Sequence, residues 1–335
     1  MKLPDRTVYA QAEPGAGPSA RTPKIGLALG AGAARGWAHI GVLRTLEAAG
    51  IRADVIAGTS AGAVIGGCHA AGKLPELEEF ARSLTRRRVF SLMDLTFSGS
   101  GLVAGGRLQS RLEAALGATR IEELPVEFAS VATEMSTGHE IWLTKGVLAN
   151  AIRASYALPG IFEPVKINGR WLFDGALVNP VPVSVCRARE AGFVIAVNIN
   201  SELRRPAGER GVISEEAIAE DALDAYSEEA GNRNTSLSGF LPTLRGRQGL
   251  FRRQFAAPPD GPPGIATAMV DAFNITQDRI IRSRLAGDPP DVAINIKMGQ
   301  IGMFDFHRAA EMIELGRAAT RRMLPEIQDL IGPNP

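Results

Sequence analysis

Two short apolar runs, Lys24 to Leu29 (KIGLAL) and Asp54 to Ala57, each lead into glycine, and a helix-patterned stretch follows each. Strand, turn, helix and strand in that order imply parallel pairing, because the helix returns the chain to the starting edge. Such crossovers are right-handed. Between the runs, Trp37, Ile40, Val42, Leu43 and Leu46 share one broad face of a helix from Arg35 to Ala49. Gly50 is expected as the residue just past its end. After the second run, Ala61 to Ala71 reads as a helix of small residues.

The same patterning continues. Helices are expected over Pro75 to Arg88, Arg107 to Leu116, Val147 to Tyr156 and Pro182 to Ala191. Glu127 to Thr133 and Glu140 to Leu143 read as paired strands around Thr137-Gly138. Val165 to Ile167 and Trp171 to Phe173 flank Asn168-Gly169, a dipeptide suited to a tight hairpin. Phe193 to Ile199 and Val292 to Ile296 are buried strands, Ile265 to Leu285 is an amphipathic helix, and His307 to Leu330 holds the closing helices. The expected fold is a three-layer α/β/α arrangement with a mostly parallel central sheet. Its divisions are a Pro/Gly/Ala-rich tail (1–23), a core (24–200), a polar and basic excursion (201–264) and a C-terminal completion of the same domain (265–335).

Charge and cysteine narrow the function. Lys plus Arg number 37 against 36 Asp plus Glu, so no basic excess points to nucleic acid. Cys68 and Cys186 sit in no metal-ligand spacing, and no metal or cofactor is expected. Two reduced cysteines, no secretory signal in Met1 to Pro23 and no membrane-length apolar run fit a cytoplasmic protein. Membrane contact would then be peripheral, at the inner face.

Gly58-Thr59-Ser60-Ala61-Gly62 matches G-x-S-x-G between a strand and a helix, the context a nucleophile elbow needs. A turn that tight has no room for side chains two positions either side of the serine, so Gly58 and Gly62 leave Ser60 free to point outward. The loop Gly30-Ala31-Gly32-Ala33-Ala34-Arg35-Gly36 lacks dinucleotide glycine spacing and any G-K-[ST] phosphate grip. Backbone N–H groups facing a tetrahedral intermediate are its alternative use.

A serine nucleophile needs a base. The histidines are His39 and His69 within helices, His139 in a hairpin turn, and His307 at the start of a late helix. His307 suits the chain order Ser, Asp, His. Asp174, at the end of the strand Trp171 to Phe173 and before Gly175, is the other candidate. Desolvation would raise its pKa and make it a better base.

Four blocks in order complete the pattern: GAGAARGWAHIGVL (Gly30 to Leu43), GTSAG (Gly58 to Gly62), ASYALPGIFEPV (Ala154 to Val165) and DGALVNPVPV (Asp174 to Val183). Together they resemble the patatin-like phospholipase family, most of all its stand-alone bacterial branch. The resemblance implies a lipid acyl hydrolase with a Ser–Asp dyad and no histidine. Ser60 would be nucleophile and Asp174 proton acceptor. The N–H groups around Gly30, Ala31 and Gly32 would bind the oxyanion, with Arg35 bracing the loop or adding positive charge. Ala31 departs from the commoner triple glycine. An acyl-ester lipid is the implied substrate. An acyltransferase or thioesterase using the same dyad, and a catalytically silent membrane-associated regulatory protein, are the competing readings. Apolar segments at Val89 to Met93 and Leu95 to Phe97 are candidate covers for a lipid cleft. Arg245, Arg247, Arg252 and Arg253, interleaved with Phe240, Phe251 and Phe255, suit contact with anionic membrane.

Overall fold

The computed structural model describes residues 23–92, 106–200, 265–298 and 301–332. The tail, most of the Gly99 to Gly106 stretch and the excursion over 201–264 lie outside these residues, and so do Leu95 to Phe97 and the basic membrane segment. The sheet begins with β1 (Ile25–Leu29) and β2 (Val55–Thr59), parallel as their order required. The β2 strand runs two residues further than its apolar run, through Gly58 and Thr59, because both still pair with β3 (Glu127–Glu134). Asp54 drops out of the strand and closes its lower end, where its Oδ2 accepts from the Ile25 N–H at 2.7 Å.

The first crossover opens with a 3₁₀ turn, Ala33–Trp37, and becomes α1 (Ala38–Ala48). Gly50 follows at φ 76, the left-handed setting expected past a helix end. Next come α2 (Ala61–Ala70), α3 (Leu74–Arg82) and α4 (Arg86–Leu92). The single helix expected over Pro75 to Arg88 is therefore two. Ser83 Oγ donates to Phe80 O at 2.7 Å and Thr85 Oγ1 accepts from the Arg88 N–H at 3.2 Å. Two short hydroxyl side chains compete here for backbone groups that a continuous helix needs.

After α5 (Gly106–Leu116), β3 pairs antiparallel with β4 (Glu140–Leu143). Then follow α6 (Leu148–Ser155), the hairpin of β5 (Val165–Ile167) and β6 (Arg170–Asp174), α7 (Val183–Ala188) and β7 (Phe193–Asn198). Asn168 at φ 49 and Gly169 at φ 81 make the hairpin turn with both central residues left-handed, as their dipeptide predicted. The chain closes with α8 (Ile265–Gly287), β8 (Val292–Asn295) and α9 (Ala309–Ile331).

Alternation along β1 separates the layers. Ile25, Leu27 and Leu29 join a core with Ile40 and Leu43 of α1 and Met312 and Ile313 of α9. Ala28 faces the other way, with Val183 and Val185 of α7 and Ile281 of α8. Helices thus cover both faces of one mostly parallel, mixed sheet, and this is the expected α/β/α class. The small residues of α2 have a purpose: Phe128 of β3 lies against Gly66 and Gly67 and is fully buried. Burying such a ring stabilises by about 2–3 kcal/mol.

The register around β3 brings the carboxyl ends of two strands together. A strand has two edges. The β4 pairing covers Ser130 to Thr133, which overlaps the β2 pairing at Ser130 and Val131 and the β6 pairing at Ala132 and Thr133. So β4 takes one edge, and β2 and β6 share the other. On that shared edge Thr59 lies beside Val131, and Asp174 lies beside the next residue, Ala132. The two strands run toward each other and meet at their carboxyl ends.

Candidate active site

Ser60 sits where β2 turns into α2, at φ 55 and ψ −117. A non-glycine residue held there costs on the order of 1–3 kcal/mol, so its surroundings must fix it. They do: the Ser60 N–H donates to Ser155 Oγ at 2.8 Å, and Thr59 Oγ1 donates to Asn179 O at 2.8 Å. The two flanking glycines are required by contact. A Cβ on Gly62 would come within 2.1 Å of Leu29 O, and one on Gly58 within 2.5 Å of Gly62 O.

Asp174 arrives end-on along β6. Ser60 Oγ donates to Asp174 Oδ2 at 2.7 Å, across 114 residues of sequence. The Ala176 N–H donates to Oδ1 at 2.8 Å, and Thr133 Oγ1 donates to the Asp174 carbonyl at 2.8 Å. A side chain on Gly175 would collide with Val131 O, so the chain can leave Asp174 only through glycine. The carboxyl is 2% exposed. Burial pushes its pKa up to about 7, against the opposing pull of the Ala176 and Ser60 hydrogen bonds. A carboxylate raised this far is matched to taking a proton near neutral pH.

Among the described residues no histidine hydrogen-bonds Ser60 or Asp174. His307 receives the Arg86 Nε–H at 3.2 Å, His69 lies beside Glu47, and His139 caps its turn through its backbone N–H. His39, within a helix as expected, is fully buried against the loop that follows β1. Its Nε2 lies 2.8 Å from Gly30 O. A carbonyl only accepts, so Nε2 carries the proton. Burial pushes the ring down to about 4, so it is neutral, and its Nδ1 has no partner among the described residues.

The loop after β1 lies beside the elbow; a Cβ on Gly36 would stand 2.4 Å from that of Ala61. Its N–H groups divide cleanly. Gly30 donates to Val197 O at 3.1 Å and Ala31 to Pro180 O at 2.8 Å, while Ala34 donates to Met303 O and Arg35 to Gly32 O. The Gly32 and Ala33 N–H groups have no partner among the described residues. Ala33, at φ 50, carries the left-handed turn. Arg35 is buried and donates to Ile301 O at 2.9 Å and to Asn200 Oδ1 at 3.2 Å. These contacts tie the loop's arginine to the segments at Ile301 and Asn200.

The family model of patatin-like phospholipase matches residues 27–187. An uncharacterised NTE family protein of Mycobacterium tuberculosis is 33% identical over 349 residues, covering 92% of this chain and 94% of that protein. The chain belongs to the patatin-like phospholipase family. Lysophospholipase NTE1 of Yarrowia lipolytica is 34% identical over 185 residues, which is 53% of this chain and 13% of that protein. The solved structure of VipD from Legionella pneumophila covers 92% of this chain and 68% of its own at 14% identity, with a TM-score of 0.43.

Several residues of this patatin-like site carried no signal of their own in the sequence. Ser155 and Asn179 lie inside quoted blocks, yet nothing in those blocks marks them as supports for the elbow. Asn200 follows the buried strand Phe193 to Ile199. A polar residue at the carboxyl end of such a strand was the signal available, since that end of the sheet is where sites form. Among the described residues no group of three His, Cys, Asp or Glu side chains could hold a metal ion.

Proposed function

We propose that this patatin-like protein is a lipid acyl hydrolase working through a Ser60–Asp174 dyad and an acyl-enzyme. The 2.7 Å contact between Ser60 Oγ and a buried carboxylate carries the reading. Ser60 Oγ attacks the ester carbonyl carbon while its proton passes to Asp174 Oδ2. The oxygen of the tetrahedral intermediate accepts hydrogen bonds from the Gly32 and Ala33 N–H groups, the loop donors left unengaged. Collapse expels the alcohol, which takes the proton back from Asp174 and leaves the acyl group on Ser60. Water then attacks the acyl-enzyme, gives its proton to Asp174, and the second intermediate releases the fatty acid with the proton restored to Ser60. An alkoxide leaving group needs less acid assistance than an amine, so one carboxyl serves both halves. The name of the Yarrowia relative makes a lysophospholipid a sensible first substrate.

The test is hydrolysis of a p-nitrophenyl ester and of lysophosphatidylcholine by wild type, Ser60→Ala, Asp174→Asn and His307→Ala, with folding checked by circular dichroism. Ser60→Ala and Asp174→Asn are each expected to lose roughly 10³-fold or more, the double variant little beyond either single one. His307→Ala should stay within a few-fold of wild type. A folded Ser60→Ala that keeps activity, or a His307→Ala as damaged as it, overturns the dyad.

A further inference from the structure

The oxyanion loop is held by a residue that no motif includes. Asn200 Nδ2 donates to Ala31 O at 2.9 Å, and its Oδ1 accepts from Arg35 Nη1 at 3.2 Å. Both side chains are buried, Asn200 at 3% and Arg35 at 6% exposure. The orientation of this amide is decided by chemistry. Guanidinium only donates and a carbonyl only accepts, so Oδ1 must face Arg35 and Nδ2 must face the loop. The base of Asn200 is seated as well: its N–H donates to Asn198 Oδ1 at 3.0 Å, and Asn198 Nδ2 donates to Asn295 Oδ1 at 3.1 Å. A Cβ on Gly32 would lie 3.4 Å from Asn200 Oδ1, so the amide lies against that residue too.

In a planar trans peptide the C=O of one residue and the N–H of the next point in opposite directions. Whatever holds the Ala31 carbonyl therefore aims the Gly32 N–H. We infer that Asn200 is a positioning residue for catalysis: it grips the Ala31 carbonyl, with its amide oriented by Arg35, and so points the Gly32 N–H at the developing oxyanion. This rests on the reading that Gly32 and Ala33 supply the oxyanion donors. The Arg35 charge also polarises the amide and strengthens its donation to Ala31. Asn200 itself touches no reacting atom.

The experiment uses the full chain. Asn200→Asp keeps the shape and the Arg35 partner but removes the donor; Asn200→Ala removes both. Two measurements are made beside ester hydrolysis. One is inhibition by an alkyl trifluoromethyl ketone, to which Ser60 Oγ adds to give a tetrahedral oxyanion, its proton passing to Asp174. The other is inhibition by the corresponding secondary alcohol, which fills the same space without forming an adduct. Both variants are expected to lose roughly 10- to 100-fold in kcat with little change in KM. The fluoroketone should weaken by a similar factor and the alcohol not at all, because only the former resembles the transition state. If the Asn200 variants do not fold, Arg35→Lys, which lacks the planar fork that orients the amide, should give the same pattern at smaller size. Wild-type kcat in Asn200→Ala, or equal weakening of fluoroketone and alcohol, overturns the proposal while Ser60-dependent hydrolysis stands. A wild type inert to both ester and fluoroketone overturns the reading of the site, and this proposal with it.

Discussion

A carboxyl group whose ordinary pKa is 3.8 and whose folded value is about 7 acts on both rate and stability. For rate, only the carboxylate form of Asp174 can take the Ser60 proton. We expect kcat/KM for a neutral ester to be flat above pH 8 and to fall tenfold per pH unit below about 7, measured across a buffer series. A profile that stays flat down to pH 5 would contradict this. For stability the sign is the reverse. Between the two values the folded chain keeps a proton that the unfolded chain has lost, so stability falls as pH rises from about 4 to about 7. Asp174→Asn holds the same partners without a buried charge. It should be more stable than wild type at pH 8, by up to about 4 kcal/mol, and the gap should shrink toward pH 4. Urea unfolding at the two pH values checks it. At this scale the sequence was informative where chemistry forces a local motif. Ser60 shows itself by Gly58 and Gly62, and Asp174 by its place before Gly175. Asn200 and Ser155 act across long separations on backbone groups, and a side chain that bonds a distant carbonyl leaves no local mark.

Among the elements, the α1–α9 pair is held most closely. A Cβ on Gly41 would lie 1.9 Å from Ile313 O, and one on Gly316 would lie 2.0 Å from Ala38 O. The helices thus touch backbone to backbone, each through a glycine. Each glycine is followed four residues later by a buried threonine, Thr45 and Thr320, whose hydroxyl donates back to the glycine carbonyl. Adding a methyl here cannot be absorbed by a side-chain rotation. Gly316→Ala is expected to cost about 2–4 kcal/mol, read as a lower urea midpoint with unchanged slope. Gly316→Ala with wild-type stability would show that the helices can separate freely. Periodicity gives α1 its buried face, whereas the closing helices expected over His307 to Leu330 are one long helix, α9. Periodicity could not say which two faces meet, nor that α3 and α4 separate at Ser83 and Thr85, where the decisive bonds are side chain to backbone. Strands with pairing partners close in sequence, such as β5 and β6 around Asn168-Gly169, were legible to within a residue or so.

For the molecule as a whole, strand existence was readable and the pairing of strands distant in sequence was not. Nothing in the apolar runs tells that β2 and β6 lie along one edge of β3, because pairing across long loops depends on the whole sheet. Among the described residues no helix is long and apolar enough to cross a membrane. The shared edge also predicts an order of events on refolding from urea. Reactivity of Ser60 toward a fluorophosphonate should return with the slowest phase that restores the sheet, and should lag the far-ultraviolet helix signal. Labelling that recovers together with the earliest helix signal would contradict it. On the proposed mechanism, Ser60 would be an ordinary alcohol with no base beside it until β6 docks on β3. By that proposal, hydrolytic power would be conferred only once the sheet is assembled, and a half-made chain would be chemically silent.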